Sequence, residues 1–594
     1  MAGGDLGTIE PRLESFPDPD RLRRLTVSEC TELAGRIRAF LIENVSRTGG
    51  HLGANLSSVE LTIALHRAFR SPETAIVWDT GHQCYTHKIL TGRHGGFADL
   101  RARGGMSGFP SRAESQHDLL ENSHASVGPA WAHGVATATG RTVVTVVGDG
   151  ALTGGVAFEA LNAIGYRRTP VVVVLNDNGR SYSDTPSRLT YGEPLVRQAA
   201  PGADPEAFFR ALGFAYDGPV DGHDVEALDE AFARAARGPL PRVVHVRTQK
   251  GHGWPRALTD VAKRLHDVGP GHPAPRIADE VPSWSAVVGE LLRSAAAADA
   301  RVCAITAAMG DTVGLGPFRT RFPDRYHDLG IAEQACVAMA AGLASQGMRP
   351  FFAVVSTFLT RAMDQVLNDV ALHRLPVVFL LDRAGVTGPD GPSHHGVFDV
   401  GLLRNVPGIE IYSPATVSDI RDLLTGLLGR EHGPVVIRYP KGRPLNPANG
   451  RFSAEGLLRG GDDACMITHG DPVGATLAAA ETLEARDGIR SAVWRLNRID
   501  TLHKDLLTFA AGRRLLIPVE ELSASGGVAG LLAGELARAG RFRGRITPLV
   551  LPAQFLPHGP REGLLDEFGF TPDKIAGFVR SAVRDSANDG PAGR

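Results

Sequence analysis

The sequence predicts an α/β protein with mostly parallel sheets flanked by helices. Short β-branched runs alternate with longer Ala/Leu-rich segments along most of the chain, the runs are continuously apolar, and 70 glycines and 39 prolines punctuate them without a collagen-like or low-complexity period. Unbroken apolarity marks strands buried on both faces, as in a parallel sheet covered by helices. The expected strands are Thr142–Val147, Val171–Leu175, Arg242–Val246, Phe351–Val355, Val377–Leu381 and Leu515–Pro518. A helix is expected after Ser57, where Ser57 and Glu60 have capping-box spacing ahead of Val59, Leu61, Ile63, Ala64 and Leu65. Another is expected from Ile331 to Leu343.

A chain of 594 residues has room for about three to five domains. Two stretches rich in Pro, Gly and charge, Val268–Pro282 and Pro440–Gly461, read as boundaries and divide it into 1–275, 276–445 and 446–594. The tail SANDGPAGR reads as frayed. With 63 basic against 65 acidic residues, a net charge of −2 and 43% hydrophobic residues, the chain fits neither a disordered protein nor a polybasic nucleic-acid binder. The expected partners are a small molecule and a second copy of the chain. The five cysteines form no CxxC, which argues against a zinc ribbon and a disulfide framework and predicts buried thiols in a reducing compartment. No apolar run approaches the roughly 18 to 20 residues that span a bilayer, and the N-terminus lacks an apolar signal core, so no membrane association and a cytoplasmic location are expected.

The most informative feature is a pair of turns. Gly148-Asp149-Gly150 directly follows one expected strand, and Asn176-Asp177-Asn178 directly follows the next. A carboxylate and an amide oxygen at the carboxyl ends of neighbouring parallel strands converge on the crevice where α/β sheets bind ligands. Both are hard oxygen donors, suited to a divalent ion such as Mg²⁺ that keeps coordination positions free for a diphosphate. Gly154-Gly155 is expected to let a helix N-terminus approach that phosphate closely. Standing alone, GDG is also compatible with an ordinary Gly-rich βα turn. A dinucleotide fingerprint would need glycine where the chain has Thr153.

With these turns the chain resembles the 1-deoxy-D-xylulose-5-phosphate synthases, transketolase-like thiamine diphosphate enzymes. The resemblance runs in order through GGHLGANLSSVELTIALH (49–66), GHQCYTHKILTGR (81–93), GMSGFPSRAES (105–115), VVGDGALTGGVAFEALNAIGY (146–166), GPVDGHD (218–224), DLGIAEQ (328–334), STFLTRAMDQV (356–366), DRAGVTGPDGPSHHGVFD (382–399) and VEELSASGG (519–527). It implies a three-domain architecture in which the first domain binds diphosphate and metal, the second binds the aminopyrimidine ring and the third is a small C-terminal transketolase-type domain. The cofactor would lie between two domains, at an interface usually built around a homodimer.

By motif, the resemblance assigns Mg²⁺ to Asp149, Asn178 and the backbone carbonyl of Arg180. It assigns the cofactor's surroundings to His82, Ser123, His124, Ala125, Gly150, Ala151, Lys250, Trp254, Phe358 and Glu333. Glu333 would face the aminopyrimidine as the central catalytic acid; without the resemblance it reads as a first-turn acid stabilised by a helix dipole. His51, His124 and His394 would transfer protons, because imidazole titrates near neutral pH. Of 21 histidines, motif context singles out His51, His82, His124 and His394. Arg361, Arg383, Asp390, His394 and Lys441 would hold a phosphorylated aldehyde acceptor. The implied reaction joins pyruvate and glyceraldehyde 3-phosphate, with loss of CO₂, into the isoprenoid and thiamine precursor 1-deoxy-D-xylulose 5-phosphate.

Several departures from the family pattern fall near this site. The family's GTGHSS reads Glu121-Asn122-Ser123-His124-Ala125-Ser126, a tyrosine usual before STFL is Val355, EQH reads Glu333-Gln334-Ala335, and RYPRG reads Arg438-Tyr439-Pro440-Lys441-Gly442. Lysine at 441 keeps the charge but not the bidentate fork of arginine. Trp254 replaces a tyrosine, and the segment from Ser181 to Phe208 is shorter than its counterpart by about two dozen residues, in a stretch expected to act as a lid. Two competing readings follow: a carboligase or transketolase-like enzyme with another aldehyde acceptor, and a non-catalytic homologue that binds thiamine diphosphate. Retention of Glu333, Asp149 and Asn178 speaks against the second.

Overall fold

The computed structural model describes residues 16–121, 123–182, 184–190, 204–260, 263–272, 282–445, 455–523, 525–540 and 542–588. Three sheets organise them. In the first, β1 (Ala75–Asp79), β2 (Val143–Gly148), β3 (Val171–Asp177), β4 (Ala215–Asp221) and β5 (Arg242–Arg247) are all parallel, in the order β1-β2-β3-β5-β4. In the second, β6 (Val302–Thr306), β7 (Tyr326–Asp328), β8 (Arg349–Val355), β9 (Val378–Ala384), β10 (Glu410–Tyr412) and β11 (Val435–Pro440) are again all parallel, in the order β10-β11-β9-β8-β6-β7. The third takes β12 (Gly456–Arg459), β13 (Ala464–His469), β14 (Ser491–Leu496), β15 (Leu515–Ser523) and β16 (Arg545–Ile546) in the order β12-β14-β13-β15-β16; β12 is antiparallel, and β17 (Leu549–Leu551) pairs with β15.

The continuous valine runs explain the layering. Val144, Val146, Val172 and Val174 feed the core on one face of the first sheet, against helices Val27–Thr48, Val59–Ala68 and Val225–Arg237. Val143, Val147, Val171 and Val173 feed the core on the other face, against helices Gly128–Thr139 and Gly155–Arg167. Side chains alternate along a strand, so both faces can be dry only if every position is apolar. Each buried valine contributes about 1.5 to 3 kcal/mol.

The strands extend past their expected carboxyl ends: β3 through Asn176 and Asp177, β9 through Asp382 and Arg383, and β15 through Glu520 and Glu521. These residues are polar, so hydropathy ends before the ladder does. The capping box at Ser57 is corrected. The helix begins at Val59 after Ser58 without a side-chain cap, and Ser57 Oγ donates instead to the Ala54 carbonyl (2.6 Å). Glu60 is taken by Arg38, whose Nη2 donates to its Oε1 (2.5 Å), because the helix start is buried and the carboxylate needs a cation more than it needs an amide. The second expected helix is present as Glu333–Ser345.

All five cysteines are free and buried. Among the described residues no helix is long and apolar enough to cross a membrane. Of the expected segments, Asn122, 191–203 of the shortened lid, 273–281 and 446–454 at the boundaries, and the end of the tail lie outside the described residues.

Candidate active site

The carboxyl ends of β1, β2, β3 and β5 meet turns of the second sheet's domain around a cavity. The first domain lines it with His51, His82, Ser123, Ala125, Asp149, Gly150, Ala151, Asn178, Arg180 and Lys250, and the second with Ala307, Ala308, Met309, Ile331, Glu333, Phe358, Arg361 and His394. Both walls therefore come from one chain. Thr153, at the position where a dinucleotide fingerprint would need glycine, pins the two walls together: it accepts from Ile331 N (2.8 Å), while its hydroxyl donates to the Gly150 carbonyl (2.7 Å).

At one end stand the oxygen donors. Asp149 is fully buried; burial, then the neighbouring Asp177 carboxylate, push its carboxyl up to about 7, although Thr185 donates to its Oδ2 (2.6 Å). Arg180 N donates to Asn178 Oδ1 (3.1 Å). Lys250 donates to the Ser181 carbonyl and lies 2.7 Å from His266 Nδ1, and burial lowers it to about 7. Behind this end, His245 Nε2 lies 2.9 Å from Asp177 Oδ2, and Asn176 links Gln83 Oε1 (2.8 Å) to Thr248 Oγ1 (2.6 Å). The expected helix–phosphate approach at Gly154-Gly155 is corrected, for neither residue lines the cavity. A Cβ on Gly154 would stand 2.1 Å from Ser126 Oγ and 3.0 Å from the Ile331 carbonyl, so its missing side chain serves the contact between domains.

A buried carboxylate beside another, with an amide oxygen and a lysine at the same end, is a donor set suited to a hard divalent cation and an anionic phosphate. Buried His51 Nδ1, in the same cavity, has no hydrogen-bond partner. The residues present therefore fit Mg²⁺ and thiamine diphosphate.

At the other end, Glu333 opens helix Glu333–Ser345 and is buried, which raises its carboxyl above the ordinary range. Arg361, expected at the acceptor, sits here instead, with Nε 3.4 Å from Glu333 Oε2. Phe358 lines the cavity, and His124 packs on its edge with ring centres 4.9 Å apart.

Two features of the histidines go beyond the motifs. First, burial drives them out of the neutral range: His51 to about 4, His394 to about 3, His82 well below its ordinary value and His124 below it. Burial makes imidazolium costly, which holds each ring below its ordinary value. Second, His266 joins the group although no motif marks it. It lines the cavity, 5.1 Å from His82 and 5.7 Å from His51 between ring centres. His124 does not line the cavity; its Nε2 lies 2.9 Å from the Ser393 carbonyl. Asn55 fixes the backbones of His51 and His82 by donating to both carbonyls at 2.7 Å. Tyr182, Gln83, Phe109 and Met309 are further lining residues that the motifs did not mark, and Asp79 is a supporting one.

The basic residues separate. Arg383 and Lys441 line a second cavity of about 770 Å³ with Ser285, Asp311 and Asp382. Asp390 is held by Arg101, and that guanidinium keeps its carboxyl far below the usual range despite burial. Trp254 stays off the first cavity and packs on the first domain's core. Glu60, His223 and His252 are close enough together to share an ion, but His223 accepts from Gln249 N (2.9 Å) through Nε2 and so presents its proton on Nδ1, toward Glu60 (3.3 Å), while Arg38 holds the carboxylate. Glu60 and His223 are thus already partnered, and His252 stacks on His223 with ring centres 3.5 Å apart.

Comparison with known proteins agrees with this arrangement. A family profile described as "1-deoxy-D-xylulose-5-phosphate synthase" matches residues 13–191 and 193–248, "Transketolase, pyrimidine binding domain" matches 280–444, and "Transketolase, C-terminal domain" matches 455–575. The 1-deoxy-D-xylulose-5-phosphate synthase of Leifsonia xyli is 42% identical, with 95% of this chain and 94% of that one covered. 1-Deoxy-D-xylulose-5-phosphate synthase 1 of Kitasatospora griseola is 42% identical, with 97% and 96% covered. Identity at this level along nearly the whole of both chains, with Asp149, Asn178 and Glu333 gathered on one cavity, makes this chain a member of the 1-deoxy-D-xylulose-5-phosphate synthase family.

Proposed function

We propose that the chain is a thiamine diphosphate- and Mg²⁺-dependent transferase that joins pyruvate to D-glyceraldehyde 3-phosphate, giving 1-deoxy-D-xylulose 5-phosphate and CO₂. The observation that carries this reading is the single cavity on which Glu333 and the oxygen donors Asp149 and Asn178 converge. In the net reaction the bond between pyruvate's carboxylate and carbonyl carbons breaks, the acyl carbon bonds to the aldehyde carbon, and the aldehyde oxygen takes a proton. Thiamine diphosphate, when bound, supplies a nucleophilic carbon and an electron sink for this chemistry.

The residues divide the remaining work. Asp149, Asn178 and the Arg180 carbonyl hold Mg²⁺, while Gly150, Ala151 and Lys250 receive the diphosphate. His82, Ser123, Ala125 and Phe358 shape the cavity around the cofactor, and His124 steadies Phe358 and the Ser393 turn. Burial favours a proton on the Glu333 carboxyl, and the Arg361 guanidinium opposes that rise. His51 and His394 enter the reaction as neutral rings, able to accept a proton and return it. Arg383, Asp390 and Lys441 form the acceptor end. The low exposure of Asp149, Lys250 and Glu333 keeps water away and strengthens each electrostatic contact.

The division into 1–275, 276–445 and 446–594 gives one sheet to each unit. We assign the exposed face of helices Gly128–Thr139 and Gly155–Arg167, with Trp131 45% and Tyr166 85% exposed, to contact with a second copy in a homodimer. Five free thiols suit a reducing compartment, which supports a cytoplasmic location.

Incubation with pyruvate, D-glyceraldehyde 3-phosphate, Mg²⁺ and thiamine diphosphate, followed by mass spectrometry, is expected to yield 1-deoxy-D-xylulose 5-phosphate. Turnover with glyceraldehyde 3-phosphate no faster than with unphosphorylated aldehydes would overturn the assignment.

A further inference from the structure

Tyr182 follows Arg180 and Ser181 out of β3 and lines the first cavity. Its ring lies on His266, with centres 4.0 Å apart. Asp267, Arg383, Asp390 and Arg101 lie within electrostatic reach of it, the last three belonging to or bordering the acceptor end. Tyr182 thus stands between the histidine cluster and the acceptor's cations. Its hydroxyl makes no hydrogen bond among the described residues, so a donor and an acceptor remain for a ligand.

Among the described residues the second domain lines this cavity with no hydroxyl. Where the family pattern has a tyrosine before STFL, this chain has Val355, which is buried and whose N–H points to Met309 Sδ (3.4 Å). The second domain presents Ala307, Ala308 and Met309 to the cavity there. An aldehyde bearing a neighbouring hydroxyl needs polar partners that carry no charge, because the surrounding cations are needed for its phosphate.

We propose that Tyr182 is a specificity-determining residue that hydrogen-bonds an oxygen of the acceptor aldehyde and so supplies from the first domain the hydroxyl that Val355 does not supply from the second. This rests on the proposed function. Its consequence is selectivity for acceptors that carry a hydroxyl beside the carbonyl, since losing a partner in a dry site penalises the analogue that cannot provide one.

The test uses the holoenzyme and its Tyr182→Phe variant, which keeps the ring on His266. Turnover is measured with glyceraldehyde 3-phosphate and with 3-oxopropyl phosphate, the same aldehyde without the hydroxyl. Inhibition by glycerol 3-phosphate gives a reading independent of turnover. Tyr182→Phe is expected to raise the KM for glyceraldehyde 3-phosphate and the Ki for glycerol 3-phosphate by about 5- to 20-fold, to leave the pyruvate KM within about 2-fold, and to shrink the preference for the hydroxylated acceptor by about 5-fold or more. An active parent with an unchanged preference in the variant would overturn this inference alone, as would an equal loss toward both acceptors or a loss confined to pyruvate. A parent that makes no product from glyceraldehyde 3-phosphate would overturn the functional assignment and this inference with it.

Discussion

Arg361 Nε lies 3.4 Å from Glu333 Oε2, so the carboxyl proposed as the central acid is paired with a cation in its own cavity. Burial raises the Glu333 carboxyl and Arg361 opposes that rise. A buried acid with a raised value costs stability once it ionises, so the folded protein loses stability as pH climbs from 4.5 through the folded value. Arg361→Met removes the opposing cation. Its cofactor-free form is expected to lose more thermal stability than the parent as pH rises above 4.5. Parallel melting curves across that range would contradict the pairing. Glu333→Gln is expected to lower kcat by at least about 100-fold with the fold intact, as read by circular dichroism.

Asp149→Asn addresses the metal. The parent's melting temperature is expected to rise on adding Mg²⁺ with thiamine diphosphate, because a ligand bound only by the folded state stabilises it. The variant is expected to lose most of that rise while melting no lower than the parent without ligands, since it no longer buries a carboxylate beside Asp177. An undiminished rise in the variant would remove Asp149 from the metal site.

Asp79 supports the turn that carries Ser123 and Ala125. Its Oδ1 accepts from Ser126 N (3.0 Å) and its Oδ2 from Gly128 N (2.8 Å), and burial raises its carboxyl to about 6. Asp79→Asn turns one acceptor into a donor facing an N–H and is expected to cost about 1 to 3 kcal/mol. The raised value means that the parent loses stability as pH rises from 3.8 through about 6, whereas asparagine does not titrate. The parent's advantage in melting temperature is therefore expected to narrow from about pH 4 to 7. Widening over that range would reverse the argument.

Gly154→Ala places a methyl against Ser126 and the Ile331 carbonyl. Ser126 must move and the Ile331 carbonyl leaves little room, so the expected cost is about 1 to 3 kcal/mol, with weaker thiamine diphosphate binding because the two walls separate. Gly155→Ala is the control, since its nearest neighbours lie 3.8 Å away. Equal effects of the two changes would show that the domain contact at Gly154 is unimportant.

The sequence marked the strands because each is apolar throughout, and it marked Asp149 and Asn178 because a donor at the end of a parallel strand points into the crevice. It ended β3 and β15 early because Asn176, Asp177, Glu520 and Glu521 are polar, yet these are buried and most are paired. His266 left no local trace: its turn carries no motif, and it reaches His51 and His82 only through folding. Tyr182 was hidden for the same reason.

The sequence by itself determined the α/β class, the buried parallel strands and the chemical types of the donors, because these depend on local patterns of apolarity and on motifs a few residues long. Only the tertiary structure decided that both walls of the cavity come from one chain, that Arg361 pairs with Glu333 while Arg383 and Lys441 line another cavity, and that burial holds the cavity's histidines below their ordinary values. The physical reason is that ion pairing and desolvation are set by distance and burial, and residues far apart along the chain acquire both only when the sheets close on each other.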